Sequence, residues 1–343
     1  MLREITFPSK HDKMTRHEII TDIPLEAGGV LENAHIVFHT SDCRRGKVIW
    51  ICHALTANSN PEDWWPEMVG PGKPIDTDRN FVVCVNKLGS PYGSEGPARI
   101  NPATGKPWLL DFPRITVRDL VSAMIAVRKH LGVNQVDLLV GSSTGGFQAL
   151  EWAITEPEMF RRCAFLATAP RVSPYFGATI EAQRMALEAD PSFREAASLQ
   201  GGAAGLRCAR AQALISYRCF QGYGLTQAEE DPDTLFASRV ASYERYQGEK
   251  LVRRQFDAYS YYTLCNLIDS QNVGRGRGGV KAALGRIKAQ SIVVSIDTDA
   301  LFPPREGREW ASWIPGARFF EITSNFGHDG FLLETAKLTA LLM

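Results

Sequence analysis

An excess of one charge sign is missing from this chain of 343 residues. Lysine plus arginine number 38, and so do aspartate plus glutamate, so the formal net charge is zero. Without a basic surplus the chain has no general attraction for nucleic acid or anionic membranes, and we expect neither as a partner. Long apolar runs are also missing, since no stretch approaches the roughly 20 consecutive apolar residues of a membrane span.

Paired cysteines and a secretory signal are absent as well. The seven cysteines are scattered without a CxxC pair, a pattern typical of reduced thiols in a reducing compartment. The amino terminus, MLREITFPSKHDKM, lacks the apolar core of a signal peptide. We therefore expect a cytoplasmic protein.

What the chain does contain is an alternation of short apolar runs with helical patterns. Apolar strands alternating with helices are typical of parallel βαβ units, so the predicted fold class is α/β with a mostly parallel, doubly wound sheet. Strands are predicted at residues 34–40, 47–55, 81–89, 136–141, 162–170, 291–297 and 317–323, with helical patterns over 116–132 and 145–156.

The middle of the chain follows a different pattern. From about residue 172 to 286 the sequence is rich in Ala, Arg, Gln and Glu at helical spacing, without a convincing strand. The glycine-rich segment Gly274–Lys281 is predicted to be a flexible exit from this region. We therefore predict an α/β core over residues 1–171 and 287–343, interrupted by a helical lid insertion over residues 172–286.

The sequence Gly141-Ser142-Ser143-Thr144-Gly145 fits the pattern G-x-S-x-G. An apolar strand precedes it and a helical pattern follows, which is the setting of a nucleophile elbow. On this frame Ser143 is the nucleophile and Ser142 a small spacer, and the helix amino terminus offers N–H groups to an oxyanion. The alternative is a plain turn of small residues between a strand and a helix.

A serine nucleophile needs a base and an acid that orients the base. His328 is the only histidine after Ser143, and it follows the last predicted strand. Asp299 follows the strand before, which gives the order serine, acid, histidine of α/β hydrolases. Asp297 competes for the acid role but lies closer to its strand. His53 precedes the serine, and we interpret it as structural.

Several segments between His53 and Glu334 carry a more specific pattern. They read HALTAN, PGKPIDTDRNFVVCVNKLGS, GPARINPATGKP, DFPRITVRDLV, GSSTGGFQALEWA, DTDALFPP and FGHDGFL. Together they resemble homoserine O-acetyltransferases of the α/β-hydrolase superfamily. The resemblance implies an α/β-hydrolase fold and a ping-pong transfer of acetyl from acetyl-CoA to the hydroxyl of L-homoserine, in methionine biosynthesis. It also implies a homodimer, with acetyl-CoA as co-substrate and with no metal or resident cofactor.

The same resemblance implies roles for individual residues. Ser143 is then the acylated nucleophile, His328 the acid/base and Asp299 its partner. The backbone N–H groups of Leu55 and Thr144 form the oxyanion hole. The remaining implied residues bind the acceptor: Arg210 and Tyr217 in the insertion, and Asp329 beside the base. An arginine can hold a carboxylate in a bidentate fork, and an aspartate can pair with an ammonium group.

Some positions depart from the family pattern. The family usually has glycine where Ser142 stands and a larger residue at Thr144. Glu95 and Arg99 also depart, in a segment that we expect near the acyl pocket. These departures leave succinyl-CoA as donor and serine as acceptor open. The triad pattern alone also fits an esterase or thioesterase, and a non-catalytic binding protein on the same fold is a third class.

Overall fold

The computed structural model of the chain describes residues 4–7 and 14–343. Most of the amino-terminal stretch without a signal-peptide pattern lies outside these residues. The strands are β1 (Glu4–Phe7), β2 (Met14–Pro24), β3 (Val30–Ser41), β4 (Val48–Cys52), β5 (Val69–Gly70), β6 (Ile75–Asp76), β7 (Phe81–Val85), β8 (Ile100–Asn101), β9 (Lys106–Pro107), β10 (Val136–Ser142), β11 (Phe160–Leu166), β12 (Gln290–Ile296) and β13 (Arg318–Ile322).

Helices fill the connections between these strands. The α-helices are α1 (Pro61–Trp64), α2 (Val117–His130), α3 (Thr144–Thr155), α4 (Pro174–Glu188), α5 (Ser192–Glu195), α6 (Ala203–Tyr217), α7 (Phe220–Gln227), α8 (Arg239–Arg253), α9 (Ala258–Ile268), α10 (Val280–Leu284), α11 (Pro304–Ala311), α12 (Gly330–Leu333) and α13 (Thr335–Leu342). Two 3₁₀ turns span Leu109–Asp111 and Gly327–Asp329.

Nine strands form the central sheet, in the order β1-β2-β3-β7-β4-β10-β11-β12-β13. The six strands from β7 to β13 in this order run parallel, while β1, β2 and β3 form an antiparallel extension at one edge. The predicted α/β-hydrolase fold with a mostly parallel sheet is therefore confirmed. The antiparallel pair β1 and β2 is a part of the sheet that the sequence did not predict.

Helices cover both faces of the sheet, so the central strands are apolar along their whole length. In β4, Trp50 points into the larger core, whereas Ile49 and Ile51 point into the smaller core on the opposite face. Local signals start the covering helices. Thr116 caps α2 through a reciprocal pair of hydrogen bonds with Asp119, a capping box of the kind that stabilises a helix start.

Between β11 and β12 the described chain forms helices α4 to α10, and its only strand-like contact there is the isolated bridge Arg171–Asn272. The prediction of a flexible exit at Gly274–Lys281 is wrong. Gly279 donates to the carbonyl of Gly274 at 3.2 Å, and the guanidinium of Arg277 forms an ion pair with Glu151 on α3. A hydrogen-bonded turn with a buried ion pair anchors the segment to the core.

No helix in the part of the chain that the structure describes is long and apolar enough to cross a membrane. All seven cysteines lie within the described residues, and all are free thiols.

Candidate active site

Ser143 lies in a sharp turn between β10 and α3. Its backbone has φ 54° and ψ −128°, a conformation that costs energy for any residue other than glycine. Neighbouring backbone holds the turn: the N–H of Ser143 donates to the carbonyl of Leu166 at 3.0 Å, and the hydroxyl of Thr168 donates to the Ser143 carbonyl at 2.8 Å. The turn therefore lifts the Ser143 side chain out of the strand at the carboxyl edge of the sheet.

Glycine is required directly after this turn. A Cβ atom on Gly145 would lie 2.0 Å from the carbonyl oxygen of Cys52 and 2.7 Å from that of His53. Both distances are far inside van der Waals contact, so only glycine lets the first turn of α3 approach the loop that follows β4. The two segments that the family resemblance assigns to an oxyanion hole are therefore in direct contact.

The structure brings Ser143, His328 and Asp299 together in one hydrogen-bonded chain. His328 Nε2 lies 2.8 Å from Ser143 Oγ, and His328 Nδ1 lies 2.8 Å from Asp299 Oδ2. The other carboxylate oxygen of Asp299 accepts from the N–H groups of Leu301 at 2.8 Å and Phe302 at 3.1 Å. These donors fix the carboxylate as an acceptor, so Nδ1 carries the proton and Nε2 is free to accept the serine proton.

Asp297, the alternative acid, is directed elsewhere. Its Oδ1 accepts from the backbone N–H of Ser324 at 2.9 Å, which ties together the loops that follow β12 and β13. The arrangement therefore favours Asp299 over Asp297 as the partner of the histidine.

Burial and charge act in opposite directions on His328, which is only 3% exposed. Burial lowers the pKa of this imidazole, but the adjacent Asp299 carboxylate raises it, and the nearby Asp329 carboxylate raises it further. The net pKa lies above the ordinary value of 6.5. A base with such a pKa holds a proton well when it acts as the acid in the second part of a transfer.

The backbone N–H groups of Leu55 and Thr144 lie in the loop after β4 and at the first residue of α3. Among the described residues, neither group donates to a protein acceptor. Free N–H groups beside a nucleophile are suited to hydrogen-bond a developing oxyanion.

His53 is fully buried at the start of the same loop. Its Nδ1 lies 2.8 Å from the Ala54 carbonyl, and its Nε2 accepts from the backbone N–H of Lys87 at 3.1 Å. Burial lowers the pKa of His53 well below its ordinary value. The imidazole is therefore a neutral structural group, and both of its nitrogens are occupied.

Lys87 is a buried residue that the sequence reasoning missed. Its ammonium donates to the His53 carbonyl at 2.6 Å and to the Thr144 hydroxyl at 2.9 Å, and the residue is 2% exposed. A lysine inside the strand-like run 81–89 gives no local sign that it lies beneath the elbow. The only available signal was the presence of a charged residue in an otherwise apolar segment.

Arg210 and Tyr217 of α6 lie close to the triad. The Arg210 guanidinium carbon is 5.6 Å from the centre of the Tyr217 ring, and that ring is 5.8 Å from the His328 ring. Burial raises the pKa of Tyr217 to about 12, so the phenol stays protonated. The buried Nη1 of Arg210 has no acceptor among the described residues. Such an unsatisfied charged donor is costly unless a ligand supplies the acceptor.

Asp329 follows His328 directly, and its carboxylate forms an ion pair with Arg218. The distance between Arg218 Nε and Asp329 Oδ2 is 2.7 Å. The sequence reasoning missed Arg218, although this residue directly follows Tyr217. Two arginines and one carboxylate thus lie in the surroundings of Tyr217.

The side chains of Glu95 and Arg99, in the segment that we expect near the acyl pocket, have partners outside the triad. Glu95 accepts from the indole N–H of Trp108 at 3.1 Å. Arg99 donates to the Gly93 carbonyl at 3.0 Å and forms an ion pair with Glu18 on β2. The Glu95 carboxylate also accepts from the backbone N–H of His35 on β3 at 3.4 Å, so both side chains attach the loop after β7 to the antiparallel strands.

Within the described ranges, no group of three or more His, Cys, Asp or Glu side chains is arranged to hold a metal ion.

Comparison with known proteins gives a consistent result. The model of the alpha/beta hydrolase fold family matches residues 47–335. The chain is 39% identical over 324 residues to the homoserine O-acetyltransferase of Trichormus variabilis, covering 93% of this chain and 90% of that protein. The crystal structure of the homoserine O-acetyltransferase from Bacillus anthracis superimposes with a TM-score of 0.85 at 23% identity, covering 96% and 97% of the two chains. Esterase E22 has a TM-score of 0.84 at 22% identity, covering 100% and 99%.

Proposed function

The chain belongs to the homoserine O-acetyltransferase family of α/β-hydrolase-fold enzymes, and from this membership we propose that it transfers an acetyl group to the hydroxyl of L-homoserine. We further propose acetyl-CoA as the donor and an acyl-serine at Ser143 as the intermediate. The product, an O-acetylated amino acid, would serve methionine biosynthesis.

In the first half-reaction, His328 Nε2 removes the Ser143 proton as Oγ attacks the thioester carbonyl. The resulting oxyanion accepts hydrogen bonds from the N–H groups of Leu55 and Thr144. The tetrahedral intermediate then collapses: the carbon–sulfur bond breaks, and His328 gives its proton to the departing thiolate of CoA. Asp299 stabilises the imidazolium while it exists, since its carboxylate lies 2.8 Å from Nδ1.

In the second half-reaction, the hydroxyl of homoserine takes the place of Ser143 as proton donor to His328. The homoserine oxygen attacks the acyl carbon, and the same oxyanion hole stabilises the intermediate. Breaking the bond to Ser143 Oγ releases O-acetylhomoserine, and the imidazolium returns its proton to the serine. The chemistry is therefore symmetric, and only the acceptor distinguishes this transfer from hydrolysis.

The observation that carries the choice of acceptor is the unsatisfied Nη1 of Arg210. This donor lies beside Tyr217, and Tyr217 lies beside the catalytic histidine. A carboxylate bound there would satisfy the guanidinium and hold an α-amino acid on the side of Tyr217 that is close to the catalytic histidine. A hydrolase, whose acceptor is water, does not need a binding site for a carboxylate.

The test is CoA release from acetyl-CoA, measured with and without L-homoserine, and repeated with succinyl-CoA and with L-serine. We expect fast turnover only when acetyl-CoA and homoserine are both present. Equal turnover without an amino acid would mean that the enzyme is a thioesterase. Faster turnover with succinyl-CoA or with serine would correct the donor or the acceptor.

A further inference from the structure

A lysine ammonium lies beneath the elbow and contacts both segments of the proposed oxyanion hole. Lys87 follows β7 by two residues, and its Nζ atom donates to the carbonyl of His53 at 2.6 Å. The same Nζ donates to the hydroxyl of Thr144 at 2.9 Å. His53 precedes Leu55 by two residues, so one acceptor lies in each of the segments that carry a free N–H group.

The charge on this ammonium has no counter-ion. No carboxylate in the described part of the chain pairs with Lys87. The titratable groups that face it are the thiols of Cys52 on β4 and Cys84 on β7 and the imidazole of His53. Burial raises the pKa of both thiols and lowers that of the imidazole, so all three groups are neutral near pH 7.

An uncompensated buried cation is costly in the resting protein. Burial lowers the pKa of Lys87 to about 7, which is the expected response of a lysine in such a place. The positive charge becomes favourable when a negative charge develops nearby. An oxyanion at the Leu55 and Thr144 N–H groups appears only in the transition state and in the tetrahedral intermediate, so the cation stabilises these species selectively.

We propose that Lys87 is a positioning residue for the oxyanion hole, which clamps the His53–Leu55 loop to Thr144 and supplies a positive charge close to the developing oxyanion. The inference rests on the proposed acyl-serine chemistry but not on the identity of the acceptor. The proposal also gives a role to Thr144, a position where the family usually has a larger residue, because the ammonium contacts the hydroxyl of this threonine.

The experiment measures the acylation burst with p-nitrophenyl acetate, which requires neither CoA nor homoserine. Removing the ammonium in Lys87→Met should slow the burst about 10- to 100-fold, the range expected when oxyanion donors are displaced or lost. The substrate concentration at half-saturation of the burst should change little, because the ground state carries no oxyanion. Lys288→Met is the control for loss of one positive charge, since Lys288 pairs with Glu158 on the surface.

The pH profile separates this role from a merely structural one. In the wild type the burst rate should rise with pH as His328 loses its proton. At higher pH the rate should fall as the Lys87 ammonium loses its proton. In Lys87→Met only the rising limb should remain. A folded Lys87→Met variant with the wild-type rate and the wild-type alkaline limb would overturn the proposal.

Thr144 provides a second test that keeps the lysine in place, and it decides the matter if Lys87→Met does not fold. Thr144→Val removes the hydroxyl with little change in shape, whereas Thr144→Ser keeps it. We expect the serine variant to acylate about tenfold faster than the valine variant. Without the hydroxyl, the Thr144 N–H is no longer held in place by Lys87, and a misplaced donor stabilises the oxyanion less well. Equal rates in these two variants would count against the clamp.

The outcome also separates this inference from the proposed function. If the wild type gives a burst that depends on Lys87 but no CoA release that depends on homoserine, the acceptor is wrong and the role of Lys87 stands. If homoserine is acetylated and the Lys87 and Thr144 variants acylate like the wild type, only the role of Lys87 is wrong.

Discussion

The Nε2 atom of His328 lies 2.8 Å from the Oγ atom of Ser143, although 185 positions separate the two residues in the chain. Ser143 follows β10 and His328 follows β13, and β11 and β12 lie between these strands in the sheet. The contact forms because parallel strands end at the same edge, where the loops that follow them meet.

The acyl group should be on Ser143 and not on its neighbour Ser142. Ser143→Ala should lose nearly all transfer, whereas Ser142→Gly should be almost silent, because Ser142 is the buried last residue of β10. Trapping the enzyme with acetyl-CoA and mapping the modified peptide by mass spectrometry tests this. An acetyl group on Ser142 would overturn the assignment of the nucleophile.

Asp299 and Asp297 provide a matched pair of aspartates. Asp299→Asn should lower kcat by several powers of ten, because the amide no longer holds the imidazole in the required tautomer. Asp297→Asn should have a much smaller effect on kcat, since Asp297 accepts a loop N–H and does not contact His328. Steady-state kinetics with both variants checks the choice, and a larger loss in Asp297→Asn would reverse it.

The pH dependence of acylation should report the pKa of His328. The imidazole must be neutral to accept the serine proton, so the rate should rise with pH through a pKa above 6.5. Because the Asp329 carboxylate raises this pKa, Asp329→Asn should move the rising limb to lower pH. The burst with p-nitrophenyl acetate is the suitable assay, since it does not need the acceptor. A rising limb in the same place in both proteins would contradict this electrostatic link.

Arg210 should matter only after the serine is acylated. Arg210→Leu should still release about one equivalent of CoA per active site in a burst and then stall, because homoserine is no longer held for attack. Losing a charge-assisted contact to the acceptor carboxylate should cost roughly 2–5 kcal/mol in the second half-reaction.

Arg207 on the same helix is the control for Arg210, because it pairs with Glu249 at the surface. Arg207→Leu should change both half-reactions little. Stopped-flow measurement of CoA release, with and without homoserine, distinguishes the two variants. Loss of the burst in Arg210→Leu would mean that Arg210 supports folding or donor binding instead of holding the acceptor.

The lysine beneath the elbow should also be visible in the stability of the protein. Burial lowers the pKa of Lys87 to about 7 from 10.5, so between these values the unfolded chain binds a proton that the folded protein does not. Stability conferred by this site therefore rises with pH over that interval, by at most about 1.4 kcal/mol per pH unit. Denaturant unfolding of wild type and Lys87→Met should show that, from pH 7 to 9, the free energy of unfolding of the wild type increases relative to that of the variant. A constant difference would show that Lys87 titrates normally.

Local patterns in the sequence were sufficient to predict the fold class and to single out a candidate nucleophile. An apolar run, a turn of small residues and a helical pattern occur within about twenty residues around Ser143, so the strand, the turn and the helix could all be predicted from neighbours in the chain. The candidate base followed from His328 being the only histidine after the serine. The elbow pattern and the position of the histidine depend only on the order of residues along the chain, so they can be found in the sequence.

Other features depend on residues that are distant in the chain. The buried position of Lys87 arises because β7, β4 and α3 pack around it, and none of these contacts has a signature in the run 81–89. The ion pair between Arg218 and Asp329 forms only when the insertion folds back over the loop after β13. The strand β2 was not predicted because charged and polar residues interrupt its apolar positions, and its pairing with β3 is what stabilises it.

The sequence by itself thus determined the alternation of strands and helices in the core, the elbow and the candidate triad, because these follow from periodicity and from the succession of residue types. The sequence favoured Asp299 over Asp297 as the acid, and the tertiary structure shows that Asp299 contacts the histidine while Asp297 accepts from the backbone of Ser324. The tertiary structure also decided that Glu95 and Arg99 bind to the antiparallel strands β3 and β2. The physical reason is the same in each case: the energy of a buried charge or hydrogen bond depends on which groups surround it in space, and residues far apart in the chain supply those groups.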